Sequence, residues 1–280
     1  MNAMQRRLIF RGHAIGVAGQ IRWPKPQVIP VQAASALPVT GGWSESKAVP
    51  PARKLPFVEY RQAATRAFGD FLSNDDAIAI LQGRRDEDQA PSRTEVSAVV
   101  KDLAIRGRVK IGLIQAALES ARPRPGQELA IRPRDVRLER VTVDGHRLRI
   151  VLASDLLAKH DTRTKLAKAF AQPGFRRKHA GRFFSPAEGA PADPAQVPES
   201  GGLVFCTLVE LMDWEGKPHP EATIDGHCLT IPDFGRLCFA EMFIGSLSRR
   251  LTMVRAVLGS PVGGTLSAGD VETNGVFWPA

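Results

Sequence analysis

The sequence lacks the short motifs by which phosphate-binding, dinucleotide-binding, zinc-hydrolase and serine-hydrolase sites are usually recognised. It has no GxxxxGK[ST] loop, no GxGxxG run that opens a helix, no HExxH and no GxSxG nucleophile elbow. A hydrolase of unrecognised type remains an alternative, ranked below the two functions given at the end of this subsection, because a fold alone does not determine chemistry. We predict no catalytic residue, no metal site and no cofactor, and we favour a non-enzymatic protein.

Cysteine is scarce, and its three positions are Cys206, Cys228 and Cys238. They form no CxxC pair, and three cysteines do not make the even-numbered framework of a disulfide-built secreted protein. His227 and Cys228 are adjacent on an expected strand, so their side chains should point to opposite faces and not share a metal. We predict that the cysteines are small buried hydrophobic residues in a reducing compartment.

Long apolar runs are also missing. No stretch approaches the roughly 18 apolar residues that a transmembrane helix needs. The apolar run at residues 14–19 (AIGVAG) is too short for the core of a signal peptide. We therefore predict no membrane span and a cytoplasmic location.

Acidic residues are outnumbered, with 29 Asp and Glu against 38 Lys and Arg, which gives a formal net charge of +9. Residues 161–184 carry seven Lys or Arg and only one acid, Asp161. This basic surplus favours contact with a polyanion such as nucleic acid, anionic lipid or an acidic protein. An apolar fraction of 43% is ordinary for a globular chain, so general disorder is excluded.

Alternation of apolar and polar residues with a period of two dominates over helical spacing, which favours β-structure. In the run 57–71 the apolar residues Val58, Tyr60, Ala64 and Phe68 share one parity. The same pattern marks residues 96–100 and 109–113. Further strands are expected at 28–37, 135–143, 146–152, 203–212, 229–232, 237–244 and 251–258.

Two similar segments, VDGHRLRI at 143–150 and IDGHCLTI at 224–231, each place Asp-Gly before an alternating run. Asp-Gly suits the two positive-φ positions of a type I′ turn, so both segments predict the tips of tight hairpins. The flanking sequences do not repeat, which favours independent use of the same turn over a duplicated unit.

One helix is expected over residues 154–170, with Ser154 or Asp161 as N-cap and Pro173 and Gly174 as the stop. A short helical turn is possible at 74–83. The fold class is therefore mainly β, as an antiparallel sandwich or barrel of long strands with one flanking helix. We expect a single domain, 1–280, with a proline-rich loop at 185–202; the alternative is two units, 1–184 and 203–280.

The strongest binding candidate is the basic aromatic stretch 175–184 (FRRKHAGRFF). Cationic side chains neutralise phosphates and aromatic rings stack on exposed bases, so this mixture suits single-stranded nucleic acid. A solvated basic loop anchored by its phenylalanines is the alternative. The candidate residues for anion or nucleic-acid binding are Phe175, Arg176, Arg177, Lys178, Arg182, Phe183 and Phe184.

Two functions of different classes follow. The first is a structural or assembly protein that contacts itself or other protein subunits, because long strands leave edges that oligomerisation would cover. The second is a nucleic-acid-binding protein that uses residues 175–184. We rank assembly first because the sequence carries no recognisable catalytic motif.

Overall fold

Two antiparallel β-sheets packed face to face make up most of the chain. The computed structural model describes residues 7–50, 55, 57–122, 128–153, 155–170, 172–175, 204–245 and 249–278. The expected β class is thus confirmed, and of the two predicted architectures it is the sandwich. Residues 185–202 and the alternative domain boundary there lie outside the described residues.

The first sheet combines strands from both ends of the chain, in the order β13-β14-β15-β16-β17-β1-β2, with β11 also paired to β15. Because β1 pairs with β17 as well as with β2, it is an inner strand, and strands from the C-terminal part of the chain complete the sheet. These strands are β1 (Arg7–Trp23), β2 (Gln27–Ala36), β11 (Val204–Thr207), β13 (Thr223–Asp225), β14 (Cys228–Ile231), β15 (Gly235–Ile244), β16 (Arg249–Leu258) and β17 (Gly263–Trp278).

The second sheet has the order β12-β10-β9-β7-β6-β5-β3, with β4 paired to β6 and β8 paired to β7. Its inner face packs against β1 and β17 of the first sheet. Its strands are β3 (Gly42–Ala48), β4 (Val58–Glu59), β5 (Gln62–Phe71), β6 (Ser92–Ile105), β7 (Val109–Arg122), β8 (Ala130–Pro133), β9 (Arg137–Val143), β10 (His146–Leu152) and β12 (Val209–Glu215).

Leu208 joins the two sheets directly. It stands between β11 of the first sheet and β12 of the second, and it is buried. Its backbone N–H donates to the carbonyl of Ala240 on β15, and its own carbonyl accepts from the N–H of Ala153 next to β10, both at 2.9 Å. One residue therefore takes the chain from sheet to sheet without losing backbone hydrogen bonds.

Both Asp-Gly segments lie at hairpin tips, as predicted. Asp144 and Gly145, with φ of 49° and 85°, join β9 to β10 and have the positive φ values of a type I′ turn. In the second hairpin the register differs by one residue. Asp225 pairs with Cys228, so the two turn residues are Gly226, at φ 56°, and His227.

A row of left-handed residues crosses the first sheet at mid-strand. Ala33 on β2, Gly269 on β17 and Ala240 on β15 have φ of 59°, 65° and 50°. The intervening strands place Gly16 and Met253 at the same level, as the flanking pairs on either side show. A left-handed residue interrupts the extended conformation, so the alternation of inward and outward side chains shifts by one residue at that point.

The second sheet also has left-handed residues at one level across neighbouring strands. Asp102 on β6 and Arg140 on β9, with φ of 53° and 54°, both lie opposite Gly112 on β7. Buried residues on β6 accordingly change parity, from Val96, Ala98 and Val100 before Asp102 to Leu103 and Ile105 after it. In both sheets, therefore, the inward-facing residues of a strand have one parity before the left-handed residue and the other parity after it.

The alternation predicted for residues 57–71 holds only over the first part of that run. Val58 and Tyr60 are buried as expected, but Arg61 lies at a bend between β4 and β5. Beyond it the buried residues are Ala63, Thr65 and Ala67, while Ala64 and Phe68 lie on the outer face. Single-parity alternation through the whole run was wrong, because the backbone changes phase beside Asp102.

The expected helix over 154–170 is two helices, α2 (Asp155–Lys159) and α3 (Arg163–Phe170). Asp161 does not cap α3: the hydroxyl of Thr162 accepts the N–H of Lys165 at 3.2 Å, whereas Asp161 pairs with the ammonium of Lys165. Ser154, the other proposed cap, lies outside the described residues. The weaker turn at 74–83 is a helix, α1 (Asn74–Leu81), capped by Ser73. Among the described helices, none has the length and hydropathy to cross a membrane.

Candidate functional site

The basic aromatic stretch 175–184 lies outside the described residues except for Phe175, at its first position. The ring of Phe175 packs edge-on against His160, with centroids 4.8 Å apart, and it joins the rim of the hydrophobic core. Phe175 is therefore fixed against the core at its own position. The positions of Arg176, Arg177, Lys178, Arg182, Phe183 and Phe184 are not described, and their binding role stays a prediction.

All three cysteines are buried, as predicted, but the expectation that none is bridged was wrong for two of them. Cys206 is a free thiol within the core, whereas Cys228 and Cys238 form a disulfide on the outer face of the first sheet. They are directly opposite each other in the ladder between β14 and β15, with Cα atoms 4.2 Å apart. An odd total of cysteines did not exclude one local bridge, and the expected cytoplasmic location loses that part of its support.

His227 and Cys228 contribute to the same cluster, contrary to the expectation that they point apart. The alternation argument assumed that both residues belong to a strand, but His227 is a turn residue because Asp225 is already paired with Cys228. The His227 side chain is thereby released from the pleat and lies over the outer face. The signal was present in the sequence, since glycine before His227 permits a turn centred one residue later.

Glu241 reaches this cluster because of the left-handed residue beside it. In an uninterrupted strand, Cys238 and Glu241 would point to opposite faces, since they are three residues apart. The φ of 50° at Ala240 reverses the phase between them. Inward residues are Leu237 and Phe239 before the reversal and Met242 after it, which leaves Cys238 and Glu241 together on the outer face.

The four side chains lie close together. One ligand atom each from His227, Cys228, Cys238 and Glu241 lies within 4.8 Å of the other three. His227 Nε2 is 3.2 Å from Glu241 Oε1. The cysteines and Glu241 are buried, and His227 is half-buried at the rim.

Arg255 of β16 completes the surroundings of Glu241. Its Nε donates to Oε2 at 2.6 Å and its Nη2 donates to Oε1 at 2.7 Å. Burial of the carboxyl by itself would raise the pKa of Glu241, but the hydrogen bonds from Arg255 and His227 lower it to about 2. Glu241 is therefore a carboxylate at neutral pH, held in one orientation.

A second polar cluster forms at the β9–β10 turn. His219 Nδ1 accepts the backbone N–H groups of Glu221 and Ala222, at 3.1 and 3.0 Å, so its Nε2 carries the proton and donates to Asp144. Asp144 is also held by Arg108, and the Trp214 ring stacks on His219. These contacts fasten the segment after β12 to the hairpin, which is a structural role.

One flank of the sandwich is unusually apolar on its surface. It consists of β2, β3 and their connections, residues 23–49, which we call the β2–β3 flank. Both strands end their sheets on the same side, and among the described residues each pairs with only one neighbour. Six of the thirteen exposed large apolar residues in the described chain lie here. They are Trp23, Val28, Val31, Val39, Trp43 and Val49.

These observations define an antiparallel β-sandwich protein with an outer-face Cys–Cys–His–Glu cluster and an apolar flank. The chain belongs to the family described as a domain of unknown function (DUF8256), which it matches over residues 8–245. No curated protein and no solved structure matches it.

Proposed function

We propose that the protein is a non-enzymatic assembly module that pairs with a second copy of itself through the β2–β3 flank. The observation that carries the proposal is the outer edge of β2, which pairs with no second strand among the described residues and on which Val28 and Val31 are 75% and 50% exposed. Open, apolar strand edges are templates for pairing with another strand, and proteins usually protect them with charge. The ten residues of β2 include no charged side chain.

The charge of the flank favours a protein partner over a polyanion. Its charged residues are Lys25, Glu45 and Lys47, and the Lys47 ammonium is 2.7 Å from a Glu45 carboxylate oxygen. A nearly neutral apolar surface gives little attraction to phosphates, which bind through unneutralised cations. A second copy offers the same edge, and antiparallel β2–β2 pairing across a twofold axis would pair both edges at once, except at Pro30, which has no N–H to donate.

The proposal is tested by light scattering after size exclusion, with wild type and two matched variants. Wild type should be a discrete dimer. Val28→Lys combined with Val31→Lys should weaken the dimer at least about tenfold, because like charges would meet across the two paired strands. Leu211→Lys is the control: Leu211 is 42% exposed on β12, the edge strand at the far side of the second sheet.

A wild-type monomer at all concentrations, or an unchanged dimer in the double variant, would overturn the assembly proposal.

The second candidate function, nucleic-acid binding, is tested by fluorescence anisotropy with single-stranded oligonucleotides at several salt concentrations. Binding that weakens steeply with salt, and less steeply after Arg176, Arg177 and Lys178 are replaced by Ala, would favour nucleic-acid binding through residues 175–184 instead.

A further inference from the structure

The outer-face cluster of His227, Cys228, Cys238 and Glu241 can exist in two chemical forms. In the oxidised form the sulfurs of Cys228 and Cys238 are bonded to each other. When that bond is reduced, the same four side chains become two thiolates, one imidazole and one carboxylate. These are the donor types by which proteins bind Zn²⁺, almost always four in number and tetrahedrally arranged in structural sites.

We propose that the reduced protein binds one Zn²⁺ through His227, Cys228, Cys238 and Glu241, so that the disulfide and the metal exclude each other. The proposal is independent of assembly through the β2–β3 flank. The cluster belongs to β14, β15 and the turn before β14, whereas the flank lies at the opposite end of the first sheet.

The geometry supports a tetrahedral site. With Zn–N and Zn–O bonds of about 2.1 Å, nitrogen and oxygen ligands lie about 3.4 Å apart. His227 Nε2 and Glu241 Oε1 are already 3.2 Å apart. With Zn–S bonds of about 2.3 Å the sulfurs must separate to about 3.8 Å, which directly opposite cysteines on paired strands can reach by side-chain rotation. All four ligand atoms lie within 4.8 Å of one another.

Arg255 supplies the support that metal-binding carboxylates usually receive from a neighbouring group. Glu241 would bind through Oε1, the oxygen nearer His227, and zinc would replace the hydrogen bonds that Oε1 accepts from His227 and from Arg255 Nη2. The Arg255 Nε would keep its 2.6 Å hydrogen bond to Oε2. Two thiolates and one carboxylate on Zn²⁺ leave a net charge of −1, which the Arg255 guanidinium balances. The nearly complete burial of both cysteines and Glu241 excludes competing water.

The exchange between the two forms is balanced. A thiol reductant supplies two electrons and two protons: the Cys228–Cys238 bond breaks, two cysteine thiols form, and the reductant becomes a disulfide. Zn²⁺ then replaces the two thiol protons, which are released to solvent as two Zn–S bonds form. Oxidation reverses the sequence and expels the metal.

The test uses the full chain, stripped of metal with a chelator and divided into an oxidised sample and one reduced with a phosphine, which does not compete as a thiol ligand. Each is incubated with Zn²⁺, desalted and analysed for bound zinc by mass spectrometry. The reduced sample should hold about one zinc per chain and the oxidised sample none. Co²⁺ in place of Zn²⁺ should give thiolate-to-cobalt charge-transfer absorption only after reduction.

Variants assign the ligands. Cys228→Ser, His227→Gln and Glu241→Gln should each raise the zinc dissociation constant of the reduced protein at least about tenfold. Cys206→Ala is the matched control, since Cys206 is a core residue outside the cluster, and it should bind zinc like wild type. A reduced wild type without zinc, equal binding by the oxidised form, or unchanged affinity in the ligand variants would overturn the proposal.

A measurement on wild type alone covers the case in which a variant does not fold. Zinc should protect Cys228 and Cys238 of the reduced chain from alkylation, as located by peptide mass spectrometry, and should leave the alkylation of Cys206 unchanged. Equal alkylation of the two cysteines with and without zinc would contradict the site.

Discussion

Arg108 holds Asp144 through both carboxylate oxygens, with Nε 3.0 Å from Oδ1 and Nη2 2.6 Å from Oδ2. Asp144 is the first residue of the β9–β10 turn, and Arg108 immediately precedes β7, so the pair ties two neighbouring hairpins together. The hydrogen bond from Arg108 lowers the pKa of Asp144; burial opposes the shift, and His219 adds to it. The ion pair also leaves the Arg108 Nη1 to donate to the carbonyl of Pro232, at 2.9 Å.

The lowered pKa of Asp144 predicts a contribution to acid stability. Because the folded-state value lies below the unfolded one, the stabilisation is complete above about pH 4 and is lost as pH falls through the folded-state pKa. Asp144→Asn should therefore lower the free energy of unfolding at pH 7 and make the loss of stability below pH 4 shallower than in wild type. Urea unfolding at pH 7, 4 and 3 measures both effects.

Asp225 is the matched control for Asp144, because it belongs to the other Asp-Gly hairpin but its side chain is 83% exposed and pairs, among the described residues, with Arg236 alone. Asp225→Asn should leave the pH dependence unchanged. Equal flattening in both variants would show that the Arg108 contact does not carry the effect.

Gly269 is the central residue of the left-handed row in the first sheet, and its replacement should be costly. A Cβ there would lie 2.6 Å from Cγ2 of Ile114, which belongs to the facing sheet, and φ is 65°. Gly269→Ala should lower the free energy of unfolding by about 2 kcal/mol or more, from left-handed strain and overpacking together. Gly263→Ala on the same strand, where the nearest atom is 3.6 Å away, should cost much less; similar urea midpoints for the two variants would contradict this account.

The disulfide should stabilise the fold independently of any metal. Cys228 and Cys238 are 10 residues apart, and closing a loop of that length removes unfolded-state entropy equivalent to about 2.7 kcal/mol. Reduction in the presence of a chelator should therefore lower the free energy of unfolding by about 2–3 kcal/mol. In a variant with both cysteines replaced by Ala, the reductant should have no effect; a shift of similar size there would assign the change to another group.

The ion pair between Arg250 and Asp270 should matter far more than a surface pair. Asp270 is 1% exposed, and Arg250 donates to it through Nε at 2.8 Å and through Nη2. Arg250→Leu leaves the carboxylate buried without its cation, and we expect a loss of about 3–5 kcal/mol in urea unfolding. Arg236→Leu, which removes the exposed partner of Asp225, should cost about 1 kcal/mol or less. Comparable losses in the two variants would be evidence against the burial argument.

Local chemistry made the β-class and the hairpins predictable from the chain alone. Alternation along β6 placed Val96, Ala98 and Val100 on the buried face because side chains of an extended strand alternate strictly. Asp144 and Gly145 adopt the positive φ values that their residue types favour, so the turn needed no information from distant residues. The charge surplus and the scarcity of catalytic motifs were likewise properties of the sequence.

The cluster depended on the tertiary structure. Which residue pairs with Cys228 is decided by the register of the β13–β14 hairpin, and the choice of Asp225 is what makes His227 a turn residue. The reversal at Ala240 is decided by a row of residues at one level across the sheet, including Gly16 and Gly269, which lie more than two hundred residues apart in sequence. Alternation of side chains is a local property of an extended strand, but the neighbouring strands decide where it shifts by one residue. That shift at Ala240 places Glu241 on the same face as the two cysteines.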